Sequence, residues 1–465
     1  MVSGDELSIL CATVERLLAE NLDHARIAAA ENGPFDAGLW GLVEAAGLTR
    51  VHLPEAAGGA GYGWREAGAV LRLAGRHAVP LPLAETMVAG WALSEAGFEA
   101  AIPAGPMALA PCRDPDGGDL PGAGHALPPA NAPGTATLAT PADVLALRAV
   151  PWARHAAALV AVISPGDADG LSHSGAGSRA RASFSPEHDI GLEHMARIAL
   201  VGPASSPEGS AGSAASAVPW RMTRLASNLA GEARDDLALP RSTVLRLGPH
   251  PVDLAGVWTR LALARSAQLV GALEAALDLA LRYAGERVQF GRPIGRFQAV
   301  QQELARFASQ VAAAGAALEA ALAAADRSDH DERERVASRG DAGGDGAERD
   351  TRLPEIAAVG ACAIELGQIR ARLAAAFDAL SPADPTFEIA VAKIVASDAA
   401  SAGAAIAHQV HGAIGFTAEH PLQHLTRRLW SWRAEAGRAS DWAGQIGDAT
   451  LQAGPEALWP RLTAR

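Results

Sequence analysis

Two long stretches of helical periodicity, 255–289 and 297–325, meet at one break, Glu286-Arg-Val-Gln-Phe-Gly-Arg-Pro-Ile-Gly-Arg-Phe-Gln-Ala-Val-Gln-Gln302. Gly291, Pro293 and Gly295 exclude a continuous helix there, because proline lacks the N–H and the glycines invite a turn. The first stretch would span roughly 50 Å as one helix. Apolar and alanine positions surround most of its girth between Leu261 and Leu281. Such a helix must be buried on several sides, as it is inside a bundle. At the break an arginine ends one helix and glutamines open the next. Helix ends carry unpaired backbone groups and partial charge, which suits a phosphate-bearing ligand.

The chain has 465 residues, too many for a single core, so two or three domains are expected. Residues 1–102 read as helices joined by glycine-rich turns, with Leu7, Leu10, Val14, Leu17 and Leu18 at helical spacing. Residues 103–250 shift toward proline, glycine and serine around short β-like runs at 157–164 and 196–201, which suggests a small β-barrel or sandwich. Segments 164–180 and 202–217 read as loops. Residues 251–465 are helical again, with further helical patterns at 354–380 and 386–411. Between them, 326–352 mixes charge, glycine and serine and reads as a mobile insertion. Aromatic residues are only 5% of the chain and alanine dominates its second half, which favours close-packed helices. The expected fold class is therefore α+β, mainly α.

A formal charge of -13 argues against a nucleic-acid binder. Lys393 is the only lysine, so cationic chemistry falls to arginine, which binds phosphate bidentately but is poorly suited to Schiff-base chemistry. Cys11, Cys112 and Cys362 form neither a disulfide framework nor a metal spacing. No signal peptide is visible, and the longest apolar windows, 156–163 and 261–281, are too short or carry charge, so no membrane span is expected. A reduced, cytoplasmic setting follows. His411 and His420 lack a third ligand at a recognisable spacing, so no metal site is expected.

The run Arg287-x-x-Phe-Gly-x-x-Ile-x-x-Phe-Gln-x-x-Gln closely resembles the signature of acyl-CoA dehydrogenases, FAD enzymes that desaturate acyl-CoA thioesters. The turn Pro54-Glu-Ala-Ala-Gly-Gly-Ala-Gly resembles the one that precedes a helix covering the active site in that family. The run Gln409-Val-His-Gly-Ala-Ile-Gly-Phe is similar to the family's Gln-x-x-Gly-Gly-x-Gly-Phe, with Ala413 in place of a glycine. The resemblance implies N-terminal helices, a middle β-domain and a C-terminal four-helix bundle. It implies that Arg287, with Phe290 and Gln298, reaches FAD phosphates across a subunit boundary, and that Gln409 and Gly412 lie along the adenosine half. A guanidinium at a helix end suits a pyrophosphate. The other reading of Arg287 is an ion pair at a helix terminus.

The reaction implied is loss of a proton beside the thioester carbonyl and of a hydride from the next carbon. It needs one carboxylate in a dry pocket with a raised pKa. Alignment through Gly415-Phe416 puts the family's catalytic position at Ala436, one residue after Glu435. Alignment through Phe290-Gly291 puts the alternative position near Leu261. Glu435 is the first candidate for the base. Its other reading is a solvated carboxylate near Arg433 and Arg438. Glu419 is a weaker candidate. The middle-domain runs that touch the flavin ring in the family, Thr-Glu-Pro-x-x-Gly-Ser-Asp and a Trp-Ser/Thr pair, are absent. Three readings follow from the resemblance: an acyl-CoA dehydrogenase acting on an acyl-CoA and passing electrons to an electron-transfer flavoprotein; a partner subunit with little catalysis of its own; or a flavin monooxygenase or oxidase. Assembly as a homo-oligomer, or as a hetero-oligomer with a related dehydrogenase subunit, is expected.

Overall fold

Glycine decides how the first helices meet the last. A Cβ on Gly75 would lie 2.1 Å from the carbonyl oxygen of Gln268, and one on Gly271 would lie 1.7 Å from that of Arg72. Two helices can therefore cross backbone to backbone. One is α4 (Trp64–Arg76), which follows α1 (Gly4–Asn21), α2 (His24–Ala30) and α3 (Ala37–Ala45), and precedes α5 (Leu83–Glu95). The other is α6 (Leu254–Glu286), where the sequence pattern places its first long helix. Arg72 and Arg76 of α4 reinforce the crossing through Glu274 and Asp278 of α6. The computed structural model describes residues 4–31, 33–110, 144–163, 195–201, 220–240, 244–340, 355–357, 384–454 and 456.

Between these helices lie two sheets. The larger has the order β1 (Met107–Leu109), β3 (Ala158–Ile163), β4 (Met195–Val201), β7 (Val244–Asp253) and β10 (Glu355–Ala357). The smaller has the order β2 (Val144–Pro151), β6 (Arg234–Pro240) and β5 (Arg221–Arg224). Residues alternate along each strand. Leu159 and Val201 face Leu147, Val150, Leu237 and Leu239 of the smaller sheet in one core. Val160, Val162, Ile198 and Leu200 turn the other way and join the helical core. The middle region is thus a sandwich with one sheet shared by the helices. The β-like runs of the sequence became β3 and β4. The loops expected at 164–180 and 202–217 lie outside the described residues. Residues 355–357, expected to be helical, are instead a strand paired with Arg246, Leu245 and Val244, and the rest of 354–380 lies outside the described residues.

The bundle continues with α7 (Gln298–Gly340), α8 (Thr386–His411), α9 (Leu422–Trp432) and α10 (Ala439–Ala453). Helix α7 overturns the expectation that order ends at residue 325: it runs unbroken to Gly340, and 341–352 lie outside the described residues. Two acidic residues of this segment are acceptors. Asp326 takes the backbone N–H groups of Trp64 and Arg65, closing the open start of α4 from another helix. Asp329 accepts the indole N–H groups of Trp64 (2.9 Å) and Trp91 (3.2 Å) and pairs with Arg260. Two helical stretches, Gln298–Asp331 and Thr386–Phe416, are long and apolar enough by composition to cross a membrane, which the sequence reading did not anticipate. Both pack against α6 and each other, with Phe307 filling the space above Gly403.

Candidate functional site

The break between α6 and α7 is a two-residue hairpin. Arg287 caps α6, its N–H donating to the Tyr283 carbonyl at 2.8 Å. Val288 pairs with Pro293 and Gln289 with Arg292. Phe290 and Gly291 turn the tip at φ 52° and 77°, the left-handed pair that such a hairpin requires. A phenylalanine there is strained and projects its ring outward, 91% exposed. Behind the tip, Arg292 lies 4.3 Å from the Phe297 ring centroid. Arg287 and Gln298 are both exposed. Among the described residues the Arg287 guanidinium has no ion-pair or hydrogen-bond partner, so the reading of this residue as a helix-end ion pair is not what the structure places there. The first N–H groups of α7 point to the same end, as helix starts do.

The second glycine-rich run sits beside it. Helix α8 ends at His411, and Gly412 leaves it at φ 61° into a 3₁₀ turn, Gly412–Phe416. Gln409 and Gly412 line an open pocket of about 390 Å³ with Ala405, His408, Phe416 and Trp430. The His408 ring stacks on Phe416 at 4.2 Å. Its Nε2 meets Thr426 Oγ1, whose hydroxyl donates to the Leu422 carbonyl, so His408 Nε2 carries the proton. Burial holds the imidazoles of His408, His411 and His420 below their ordinary pKa, with neighbouring histidine charge adding to the effect at His408 and His420. They are neutral at neutral pH. Tyr283 of α6 stacks on His411 of α8 at 4.7 Å, so the two runs that carry Arg287 and Gln409 share one end of the bundle. Among the described residues no group of three metal-ligating side chains converges.

Fit to FAD follows from these donors. An unpaired guanidinium and an open helix start provide donors only, which is what a pyrophosphate needs. A pocket walled by two aromatic rings, a neutral imidazole and an amide suits a planar heterocycle. Ala413, the departure from the glycine run, is exposed and leaves the turn intact.

Glu435 lies elsewhere and does something else. It stands between β6 and α6, with Arg234 Nε 3.1 Å from Oε1 and Arg265 Nη2 2.8 Å from Oε2, and Asn228 donates at 3.1 Å. Burial alone would raise its pKa, but the charges of Arg234 and Arg265, with hydrogen bonds from Arg234 and Asn228, outweigh that and hold the carboxyl low. A base near neutral pH needs the opposite shift. The solvated-carboxylate reading fails too, since the side chain is 11% exposed. Arg265 also pairs with Glu85 of α5, and Arg234 with Glu232 at 3.2 Å. Glu232 further accepts the Trp432 indole N–H at 3.0 Å. Glu435 is thus the hub of a buried junction in which two guanidiniums serve three carboxylates, between the N-terminal helices, the sandwich and the bundle.

Ala436, at the position aligned with the family's base, is buried at φ 54°, and Gly437 follows at φ 93°. The Trp442 indole donates to the Ala436 carbonyl at 2.9 Å and occupies the space that a Cβ on residue 437 would need. Beneath this turn Lys393 donates to the Arg433 carbonyl at 2.8 Å and to Ser397 at 3.0 Å. Burial pushes its amine down to about 7. Glu419 is exposed on the 3₁₀-to-α9 connection. Sequence reasoning missed Glu85, Glu232, Arg234 and Asn228. Only Arg265, a charge inside an apolar helix, carried a signal.

Comparison with known proteins adds three findings. The family description "Acyl-CoA dehydrogenase, N-terminal domain" matches residues 4–101, and "Acyl-CoA dehydrogenase, C-terminal domain" matches 257–339 and 357–440. The chain is 26% identical over 331 residues to acyl-CoA dehydrogenase IpdE2 of Mycobacterium tuberculosis, covering 68% of this chain and 75% of that one. A shorter match, 56% over 48 residues, is to benzylmalonyl-CoA dehydrogenase of Aromatoleum aromaticum and spans 10% of this chain and 13% of that relative. Among solved structures, the ChsE4-ChsE5 complex from Mycobacterium tuberculosis superposes with a TM-score of 0.62 at 20% identity, covering 98% of this chain and 99% of that one.

Proposed function

The chain belongs to the acyl-CoA dehydrogenase family, and from that membership we propose that it is the half-site subunit of a flavin-dependent, acyl-CoA-oxidising assembly. In this reading it contributes cofactor contacts while another chain contributes the proton-abstracting carboxylate. One observation carries it: Glu435 is locked between Arg234 and Arg265, and the next residue, aligned with the family's base, is alanine. Proton abstraction needs a carboxylate that is free to accept and has a raised pKa. Glu435 has neither property.

FAD, when bound, supplies the acceptor for the hydride lost from the acyl chain. Arg287 would hold its pyrophosphate by charge and bidentate geometry, with the start of α7 at Gln298 adding backbone donors. Gln409 and Gly412 would line the adenosine side, where the glycine lets the chain approach. The exposed apolar tip, Val288 and Phe290, suits burial against another subunit. Support for a mixed assembly comes from ChsE4-ChsE5, a complex of two named chains, one of which superposes on this chain. A homo-oligomer, with electrons passing to an electron-transfer flavoprotein, remains the reading to be displaced.

The test is anaerobic bleaching of flavin by a panel of short, long and ring-bearing acyl-CoA thioesters. The chain alone, loaded with FAD, should fail to bleach with any of them. Co-expressed with a related dehydrogenase chain it should bleach, and Glu435→Gln in this chain should leave that rate within about twofold, against the roughly 10²–10⁴ that loss of a general base costs. Bleaching by the chain alone, abolished in Glu435→Gln, would make it a complete enzyme and sink the half-site reading.

A further inference from the structure

We propose that Tyr283 and His411 are a positioning pair, whose stacked rings join the Arg287 hairpin to the Gln409–Gly412 turn and so fix where the Arg287 guanidinium stands. This rests on the reading of Arg287 as a cofactor contact. Among the described residues no hydrogen bond or ion pair connects the 287–297 turn to the 409–416 turn. What does connect them is one ring contact, Tyr283 on His411, with centroids 4.7 Å apart and planes 26° apart.

Each ring is held for the task. His411 is 3% exposed, and its Nδ1–H donates to the Ala407 carbonyl at 2.8 Å, which fixes both tautomer and ring plane. Its far edge meets His420, centroids 4.7 Å apart and planes 63° apart, so the imidazole is held on two sides. Tyr283 is the residue from which the hairpin hangs. Its carbonyl accepts the Arg287 N–H at 2.8 Å, and the Arg287 carbonyl in turn accepts the Ile294 N–H at 2.8 Å. The backbone that carries the Tyr283 ring is therefore one hydrogen bond from Arg287. The far side of the hairpin is held as well, since Ile294 packs against the helical core and Gln301 donates to the Gly295 carbonyl at 2.9 Å, but neither contact reaches the 409–416 turn. The contact needs an aromatic face at 283 and not a hydroxyl, for no hydrogen bond of the phenol is present among the described residues.

The experiment uses the full chain and three variants, Tyr283→Phe, Tyr283→Leu and Arg287→Ala, with the Tyr283→Leu/Arg287→Ala double variant. Amide hydrogen exchange should speed up across 287–297 in Tyr283→Leu, with the rest of α6 and α8 unchanged, and stay at wild-type rates in Tyr283→Phe. FAD affinity should fall about three- to tenfold in Tyr283→Leu, the range of a single aromatic pair, and not in Tyr283→Phe. Because Tyr283 acts through Arg287, the double variant should bind FAD no more weakly than Arg287→Ala. Unchanged exchange in Tyr283→Leu, or full additivity in the double variant, overturns the proposal. An Arg287→Ala variant with wild-type FAD affinity instead sinks the cofactor reading, while the exchange data still decide whether the rings hold the hairpin.

Discussion

The hairpin end of the bundle and the Glu435 junction look alike in sequence and opposite in space. Each offers a charged residue two positions from a glycine where a helix ends. At the hairpin, Arg287 is exposed with no side-chain partner among the described residues. At the junction, Glu435 is buried with an arginine against each oxygen. The difference teaches that a charge free to meet a ligand and a charge consumed by the fold are distinguished by what the tertiary structure brings opposite them. Sequence spacing does not reveal that. A buried pair is costly to break, because the remaining partner is left uncompensated. An exposed one can change partners at little cost to the fold.

The largest effect that could break this contrast is on stability. Glu435→Ala should lower unfolding free energy by about 3–5 kcal/mol, since Arg234 and Arg265 lose their shared carboxylate. Denaturant titration measures it, and a loss below about 1 kcal/mol would mean the junction is wet and the contrast false. Asp329→Ala comes next, at about 3 kcal/mol, because two indole donors and Arg260 lose one acceptor. Proteolysis should then cut within 326–340 where wild type resists, and equal resistance would return that segment to the loop first expected from its composition. Arg287→Ala should do the reverse of both. Its unfolding midpoint should not move, while FAD binding weakens by about 1.5–3 kcal/mol in a flavin titration.

The smallest effect is on pH dependence, and it separates the two regions by window. Glu435 has a folded pKa below the unfolded carboxylate value. Its contribution is present above that unfolded value, about 4.3, and is lost as pH falls through the folded one. His408, His411 and His420 have folded values below the unfolded imidazole, about 6.5, because burial disfavours the cation. Their contribution is present above about pH 6.5 and is lost as pH falls below it. Unfolding midpoints should therefore show two declines on acidification, the histidine one first. His420→Asn, which keeps an acceptor for the Leu422 N–H now bonded to Nδ1 at 3.2 Å, should shrink only the first. A single decline below pH 5 would remove the histidines from the account.

The sequence by itself determined the succession of helical, β-containing and helical regions, the break between the long helices, and the family. These rest on local chemistry: the helical pattern at 255–289, the breakers Gly291, Pro293 and Gly295, and the short β-like runs at 157–164 and 196–201. It also put Arg287 and Gln409 in separate runs, each with its expected role. Only the tertiary structure decided which polar residues meet. Residues 326–340 looked unable to order because they carry almost no large apolar side chain, and the partners that hold Asp329, namely Trp64, Trp91 and Arg260, are far away in sequence. Glu435 looked free for the same reason, with Arg234 and Arg265 each more than 150 residues away. Periodicity reports which face of a helix is buried. The state of a buried charge depends on the charge opposite it, and that neighbour is set by how whole elements pack.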